Sequence, residues 1–354
     1  MPVKLVDPKL LVEGNAVNWQ VKNVVGAALK FHQNLPGYSP TKLISVPQVA
    51  KELGVKAVFV KDESARFGLP AFKALGATWA IENELRRTKA DRSVALVCAT
   101  DGNHGRAVAR TAASLGRESR IYIPNGVSEF AINAIADEGA KVIRINGDYD
   151  EAVRAAAQDA DQTGALLIQD TAWDGYETVP SWIVEGYSTM VVEVDEQLEK
   201  LGLHADLVMV PTGVGSLLQA VIAHYRAQQN GAKVVSVEPI NAGGVFESLK
   251  AGKLVSVPTE TTIMTGLNCG TPSNLAMPYI LNGLSAAVLV DDNQARQSLA
   301  ELTELGVAVG PCGAAALAGI KTLANSKQAR SELGLNSDSV VVLLSTESVE
   351  ANPI

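Results

Sequence analysis

Lys73 has the setting of a reactive group. It lies in the run Lys61-Asp62-Glu63-Ser64-Ala65-Arg66-Phe67-Gly68-Leu69-Pro70-Ala71-Phe72-Lys73-Ala74-Leu75-Gly76-Ala77, after a strand-like apolar stretch at 58–60 and before an unbroken helical pattern at 74–87. A strand-to-helix junction presents side chains to a cleft. Flanked by Phe72, Ala74 and Leu75, a desolvated lysine has its ammonium form disfavoured and becomes a usable amine nucleophile, the chemistry of an imine-forming lysine. The competing reading is a helix-surface lysine whose stem covers Phe72 while its charge stays in water.

A second chemical feature is Thr212-Gly213-Val214-Gly215-Ser216, which follows an apolar strand and opens a helix. Backbone N–H groups and the helix N-terminal partial charge hold a phosphate at such a turn, and glycines allow the close approach. A plain strand-to-helix turn reads the same way. The loop lacks the third glycine and downstream acid of a dinucleotide fingerprint, which disfavours a Rossmann cofactor. Two further loops are rich in polar groups: Ala99-Thr100-Asp101-Gly102-Asn103-His104-Gly105 and Asp170-Thr171-Ala172-Trp173-Asp174-Gly175-Tyr176-Glu177. His104, a lone histidine on a turn before a helix, reads as a structural residue rather than a catalyst.

In their order along the chain, the Lys73 segment and these three loops resemble the fold-type II pyridoxal 5'-phosphate (PLP) enzymes, the tryptophan synthase beta-like group, and within them the diaminopropionate ammonia-lyases. The likeness covers most of the chain and rests on four loops in order, whereas one glycine-rich turn would mean little. It implies an α/β fold of two α/β domains with the cofactor in the cleft between them. It also implies that Lys73, with Phe72 beside it, meets the cofactor aldehyde; that Thr212, Gly213, Val214, Gly215 and Ser216 hold the phosphate; and that Asn103 bonds the ring hydroxyl oxygen. For the partner of the pyridine nitrogen the candidate is Ser345, at the end of the apolar run 340–344, with Thr346 in reserve. A hydroxyl there leaves the ring nitrogen largely unprotonated, a weaker electron sink that suits β-elimination. The alternative is that Ser345 only caps the turn.

Asp101 stands where many members of the group have serine or threonine. By the same resemblance it removes the Cα proton of a D-substrate while Lys73 serves the L-isomer, two bases on opposite faces. Asp170 matches a second aspartate implicated with substrate amino groups; its alternative is turn formation or helix capping. Trp173, Tyr176 and Trp182 either shape the pocket or pack. Two departures stand out. Pro70 replaces a more polar residue, and the chain is shorter than the usual ammonia-lyases, which leaves the substrate less constrained than the fold and cofactor.

The elements that must position these groups follow from periodicity. The start of the chain to about Pro40 reads as irregular, with a turn cluster at 35–40 and then a helix at Pro47–Leu53. From Ser93 the pattern alternates: strand 94–98, helix 105–115, strand 120–123, helix 129–138, strand 141–145, helix 150–163, strand 165–168. This predicts a small parallel α/β unit with its functional loops on one side. Helical segments at 179–201 come next, then strand 207–210, helix 217–229 and strands at 234–237, 287–290 and 340–344. The resemblance makes the large domain discontinuous, residues 1–92 and 170–354, around a small domain at 93–169.

A chain of 354 residues with 47% hydrophobic residues suits two domains. The net charge of −8 argues against nucleic-acid or anionic-membrane surfaces. Residues 1–7 have no long apolar stretch of the secretion type, and the charge-free run 207–223 is broken by Pro211, Gly213 and Gly215, so no membrane span is expected. Cys98, Cys269 and Cys312 lack metal-ligand spacing and read as small buried thiols of a cytoplasmic protein, with Cys312 in a glycine-flanked turn that could border a site. No metal is expected, and the resemblance adds a homodimer. The leading expectation is a PLP-dependent elimination of ammonia from 2,3-diaminopropionate. The alternatives are a serine/threonine or hydroxyaspartate dehydratase, a non-catalytic PLP-binding homologue, and a nucleotide-binding module built on the 212–216 loop.

Overall fold

In the computed structural model, residues 25–228, 231–351 and 353 are described. Helix α1 (Val25–Gln33) lies where the pattern suggested irregular chain. Its His32 is fully buried and bonds Thr189 Oγ1 at 2.7 Å and the Leu75 carbonyl at 3.0 Å, so long-range packing holds the helix. The expectations for residues 1–24 fall outside the described residues. Strand β1 (Lys42–Ser45) leads to α2 (Pro47–Leu53), which starts on proline and stops at Gly54 with φ 63°. Strand β2 (Ala57–Asp62) then runs by a tight loop into α3 (Lys73–Thr88), whose first residue is Lys73.

The small unit follows the expected alternation, with edges moved by at most two residues: β3 (Leu96–Ala99), α4 (Asn103–Ser114), β4 (Ser119–Ile123), α5 (Glu129–Asp137), β5 (Lys141–Arg144), α6 (Tyr149–Thr163) and β6 (Leu166–Leu167). Ser128 caps α5, and an Asp148–Glu151 capping box starts α6. The four strands are parallel in the order β5-β4-β3-β6. Gly105 lets α4 sit down on β3, since a Cβ there would lie 2.2 Å from Thr100 Cγ2.

The second unit opens with α7 (Thr178–Glu199), one continuous helix, then β7 (Leu207–Pro211), α8 (Ser216–Arg226), β8 (Lys233–Pro239), α9 (Gly244–Ala251), α10 (Met277–Gly283), β9 (Ala286–Val290), α11 (Asp292–Glu304), α12 (Pro311–Ala324), α13 (Lys327–Leu333) and β10 (Val340–Ser345). Helix α8 ends three residues before the position expected for it. The sheet order is β1-β2-β10-β7-β8-β9, parallel except for β1. The last strand in sequence thus enters the sheet's centre. Strand alternation turns Val341 and Leu343 toward the α12 side and Val342 and Leu344 toward the α3, α7 and α8 side. No helix among the described residues is long and apolar enough to cross a membrane.

Behind the Lys73 segment lies a buried ion network. Arg66 donates to both oxygens of Glu63 at 2.6 and 2.8 Å and to both oxygens of Glu193 at 2.7 and 2.8 Å, while Lys61 bonds Glu193 at 2.7 Å. All four side chains are at most 1% exposed. Burying any of these charges alone would be costly, so each depends on its partners. The network ties β2 and its following loop to α7. Glu193→Ala should therefore destabilise the protein by about 3–5 kcal/mol in chemical denaturation; a loss below about 1 kcal/mol would remove this clamp from the account.

Candidate active site

The polar groups singled out by sequence meet where parallel strands end. Lys73 opens α3, Asn103 opens α4, Asp170 follows β6, Ser216 opens α8 and Ser345 ends β10. Loops beyond strand C-termini gather at one edge in such sheets. The backbone laces two of these segments together: Phe72 N–H donates to the Thr346 carbonyl at 3.2 Å and Ser348 N–H to the Pro70 carbonyl at 2.9 Å. Lys73 is thereby fixed beside the end of β10.

Lys73 Nζ donates to Asp170 Oδ2 at 2.7 Å and lies 5.4 Å from the Phe72 ring centroid. Burial works to lower its pKa, but the Asp170 carboxylate more than offsets this and holds it well above the usual lysine range. The sequence expectation of a lysine whose ammonium is disfavoured is thus corrected: a carboxylate from the other sheet keeps the ammonium. Asp170 is the reciprocal case. Burial works to raise its pKa, and the positive forms of His104 and Lys73 pull it well below the usual carboxylate range. His104 Nε2 is 2.7 Å from the Ile168 carbonyl, and its Nδ1 is buried without a partner, 3.9 Å from Asp170. Burial lowers the imidazole's own pKa, so at neutral pH it is uncharged and Lys73, the nearer group, supplies the attraction.

Asp101 is exposed, yet protein lies close around it. That surrounding protein raises its pKa, Lys73 opposes the rise and Asp170 adds to it. Lys73, Asp101 and Asp170 therefore form one electrostatic group. Gln169, which the sequence did not single out, sets its edge: its Oε1 accepts from Ala99 N–H at 2.9 Å and its Nε2 donates to the Tyr149 hydroxyl at 2.9 Å.

The 212–216 loop meets the same group, because Ser216 Oγ donates to the Asp170 carbonyl at 2.9 Å. Gly215 has φ 95° at the start of α8, and a Cβ on Gly213 would lie 3.1 Å from both Cys269 Sγ and the Gly266 carbonyl. Ser345 Oγ is buried with no hydrogen-bond partner. Asn103 Nδ2 donates to Glu347 Oε2 at 2.7 Å. Glu347 was missed, although an acid two residues past the end of an apolar strand was a signal.

Of the remaining residues, Trp173 stacks on Tyr176 at 4.4 Å, and the Tyr176 hydroxyl bonds the Leu167 carbonyl at 2.7 Å, so this pair packs the loop after β6. Trp182 packs against the main core. Cys98 and Cys312 are buried as expected, whereas Cys269 is half-buried beside Gly213, with burial pushing its thiol up to about 12. Cys312 does border the group, next to Gly266 and Glu347.

The family described as pyridoxal-phosphate dependent enzyme matches residues 35–346. Diaminopropionate ammonia-lyase from Escherichia coli K12 is 34% identical over 347 residues, 90% of this chain and 87% of that protein. A crystal structure of the Escherichia coli ammonia-lyase in complex with an aminoacrylate-PLP azomethine reaction intermediate superposes with a TM-score of 0.90 at 32% identity, covering 99% of this chain and 94% of that one. A biosynthetic L-threonine dehydratase from Corynebacterium glutamicum is 28% identical over 301 residues, 80% of this chain and 64% of that protein.

The Lys73–Asp170 pair predicts a pH signature for the cofactor-free protein. Asp170's folded-state pKa is depressed, so its contribution is present above the unfolded value of about 4 and is lost as pH falls through the folded value. Lys73's is raised, so its contribution is present below about 10 and is lost above that. Asp170→Asn should lower the melting temperature at neutral pH, and the gap to the parent should narrow in acid below about pH 4. A gap independent of pH would mean that the pair does not hold its charges.

Proposed function

This chain belongs to the pyridoxal-phosphate-dependent enzyme family, and from that premise we propose that it is a lyase eliminating ammonia from 2,3-diaminopropionate, with water consumed and pyruvate and two ammonia released. The observation carrying this reading is the cluster of Lys73 with two carboxylates, Asp101 and Asp170, at the strand ends.

The residues present suit the cofactor. The partnerless buried hydroxyl of Ser345 is a partner for a ring nitrogen, and Thr346 beside it is the reserve. The first-turn N–H groups of α8 have no intrahelical acceptor and suit a phosphate, and the glycines before them let the turn pack closely, since a Cβ on Gly213 or Gly215 would press on Cys269 Sγ at 3.1 Å or Ile280 Cδ1 at 3.2 Å. Thr212, Val214 and Ser216 complete that turn. Lys73, flanked by Phe72, supplies the amine, and Asn103 would bond the ring hydroxyl oxygen. We take 1–92 with 170–354 as the large domain and 93–169 as the small one. Three unbridged cysteines fit a reducing, cytoplasmic setting, and the family likeness extends the proposal to a homodimer.

Pyridoxal 5'-phosphate supplies an aldehyde that condenses with amines and a ring that draws electrons from the substrate's Cα–H bond. Lys73 would supply the amine that meets the aldehyde, which requires its ammonium to give up a proton first, and as a free amine it would be the base at Cα for the L-isomer. Asp101 takes the same proton from the opposite face for the D-isomer. Its raised pKa places it closer to the operating pH of a general base than an ordinary aspartate. The β-amino group leaves readily only as ammonium, and Asp170 with Asp101 would keep it protonated through ion pairing. The half-buried setting limits water around these charges and strengthens their action.

A dehydratase of serine, threonine or hydroxyaspartate remains the second reading, favoured by the threonine dehydratase likeness. Its leaving group needs no anionic pair. A non-catalytic homologue or nucleotide module would have no use for Lys73 paired with Asp170 in the field of Asp101.

Two measurements test this. Diaminopropionate should yield two ammonia per pyruvate, with kcat/KM for serine lower by at least about 10²-fold, some 2.7 kcal/mol of transition-state stabilisation; faster turnover of serine or threonine with one ammonia per keto acid would replace the lyase by the dehydratase. Asp101→Asn should keep cofactor binding and cost about 10²–10⁴-fold on D-diaminopropionate, with a smaller loss on the L-isomer. Equal losses on both isomers would end the face-specific role.

A further inference from the structure

Glu347 is a buried carboxylate that the reading above leaves without a task. It is 2% exposed and sits two residues past the centre-sheet strand β10. Its Oε2 accepts from Asn103 Nδ2 at 2.7 Å, so the bond links the end of β10 in the six-stranded sheet to the first residue of α4 on the four-stranded sheet. Its other oxygen, Oε1, is buried with no hydrogen-bond partner. Cys312, in the first turn of α12, lies beside the carboxylate, and the Glu347 carbonyl accepts from Gly310 N–H at 2.8 Å, which fixes the backbone. Burial raises this carboxyl's pKa, with the Cys312 and Asn103 hydrogen bonds acting against it.

Leaving such an oxygen unpaired in the interior costs free energy, so its position calls for a reason beyond packing. The chemistry of the amide supplies one. A primary amide has two N–H donors and one acceptor oxygen and can turn over at little cost when nothing distinguishes its ends. An oxygen of Glu347 facing it selects the nitrogen, engages one N–H and leaves the second N–H free.

We propose that Glu347 is a positioning residue: it fixes the side-chain amide of Asn103 and so directs that amide's second N–H at the ring hydroxyl oxygen of the bound cofactor. The proposal rests on the reading that Asn103 contacts that oxygen. Glu347 itself touches neither substrate nor the reacting atoms. Because the bond crosses from one sheet to the other, it also makes cofactor recognition depend on the two sheets being closed together.

The test is a double-mutant cycle on the full chain, read by equilibrium cofactor affinity of the cofactor-free protein and by the absorption spectrum of the loaded one. Glu347→Ala should weaken cofactor binding about tenfold and displace the absorption maximum, and Glu347→Gln, which keeps the shape, should do so by less. In an Asn103→Ala background Glu347→Ala should change affinity less than about twofold, because the amide to be positioned is gone. Equal losses in both backgrounds would overturn the proposal, as would a lowered melting temperature with unchanged spectrum and affinity in the variant that folds. If the parent protein bound no cofactor and borohydride attached none to Lys73, the cofactor reading itself would fall, an outcome distinct from a parent that loads normally and variants that do not couple.

Discussion

An ammonium and a carboxylate 2.7 Å apart, one opening a helix that runs on from the six-stranded sheet and the other following a strand of the four-stranded sheet, set the terms for the rest of the molecule. Burial disfavours both charges, that of Asp170 the more, since Lys73 keeps some contact with solvent. Each is kept by the other, so the two sheets must meet with their strand ends aligned to within a hydrogen bond. The packing obliges. One hydrophobic cluster runs through both units, including Leu75 and Ile81 of α3, Val108 of α4 and Ile183 of α7. Where α3 crosses α7 the side chains have been removed altogether: a Cβ on Gly76 would fall 2.5 Å from Tyr187, and one on Gly186 would fall 2.4 Å from the Leu75 carbonyl.

The same sequence segment serves two electrostatic purposes. Its first half, Lys61 to Arg66, joins a closed ion network with Glu193 on the inner side of β2, in which every charge has a partner. Its second half ends in Lys73, whose partner Asp170 follows a strand of the other sheet. A hydrogen-bonded network of this kind rigidifies the segment, so the Lys73–Asp170 pair is held from a firm support. The backbone bonds of Phe72 and Ser348 extend that support to the end of β10.

Around Lys73 the carboxylates differ in what their surroundings allow. Asp170 is held ionised by the lysine and the bond it accepts, while Asp101, without so close a partner, is pushed toward the neutral form. Two like groups with opposite shifts are what acid and base roles in one site require. The chain is also similar to a threonine dehydratase, so the fold alone does not choose the leaving group.

Local information carried far in this chain. Turn residues and hydrophobic period located most strands and helices, because those signals act within one turn or one pleat: α6 begins one residue before the 150–163 that the pattern gave, and Lys73 starts α3 one residue before the helical run read from 74. Four loops in order were enough to indicate the family and its cofactor. Other features needed the tertiary structure, since they depend on residues far apart in sequence. Helix α1 is held by bonds from His32 to Leu75 and Thr189. Strand β10 lies between β2 and β7, which brings Glu347 to Asn103 across 244 positions. Lys73 looked like an amine stripped of its proton by apolar neighbours, and only the fold put Asp170, 97 residues away, against it to reverse that balance. The residue types and their local setting were written in the sequence; the charge each bears was decided by which distant groups the fold sets beside it, because the balance between burial and a carboxylate at hydrogen-bond distance falls one way at Lys73 and the other at Lys61.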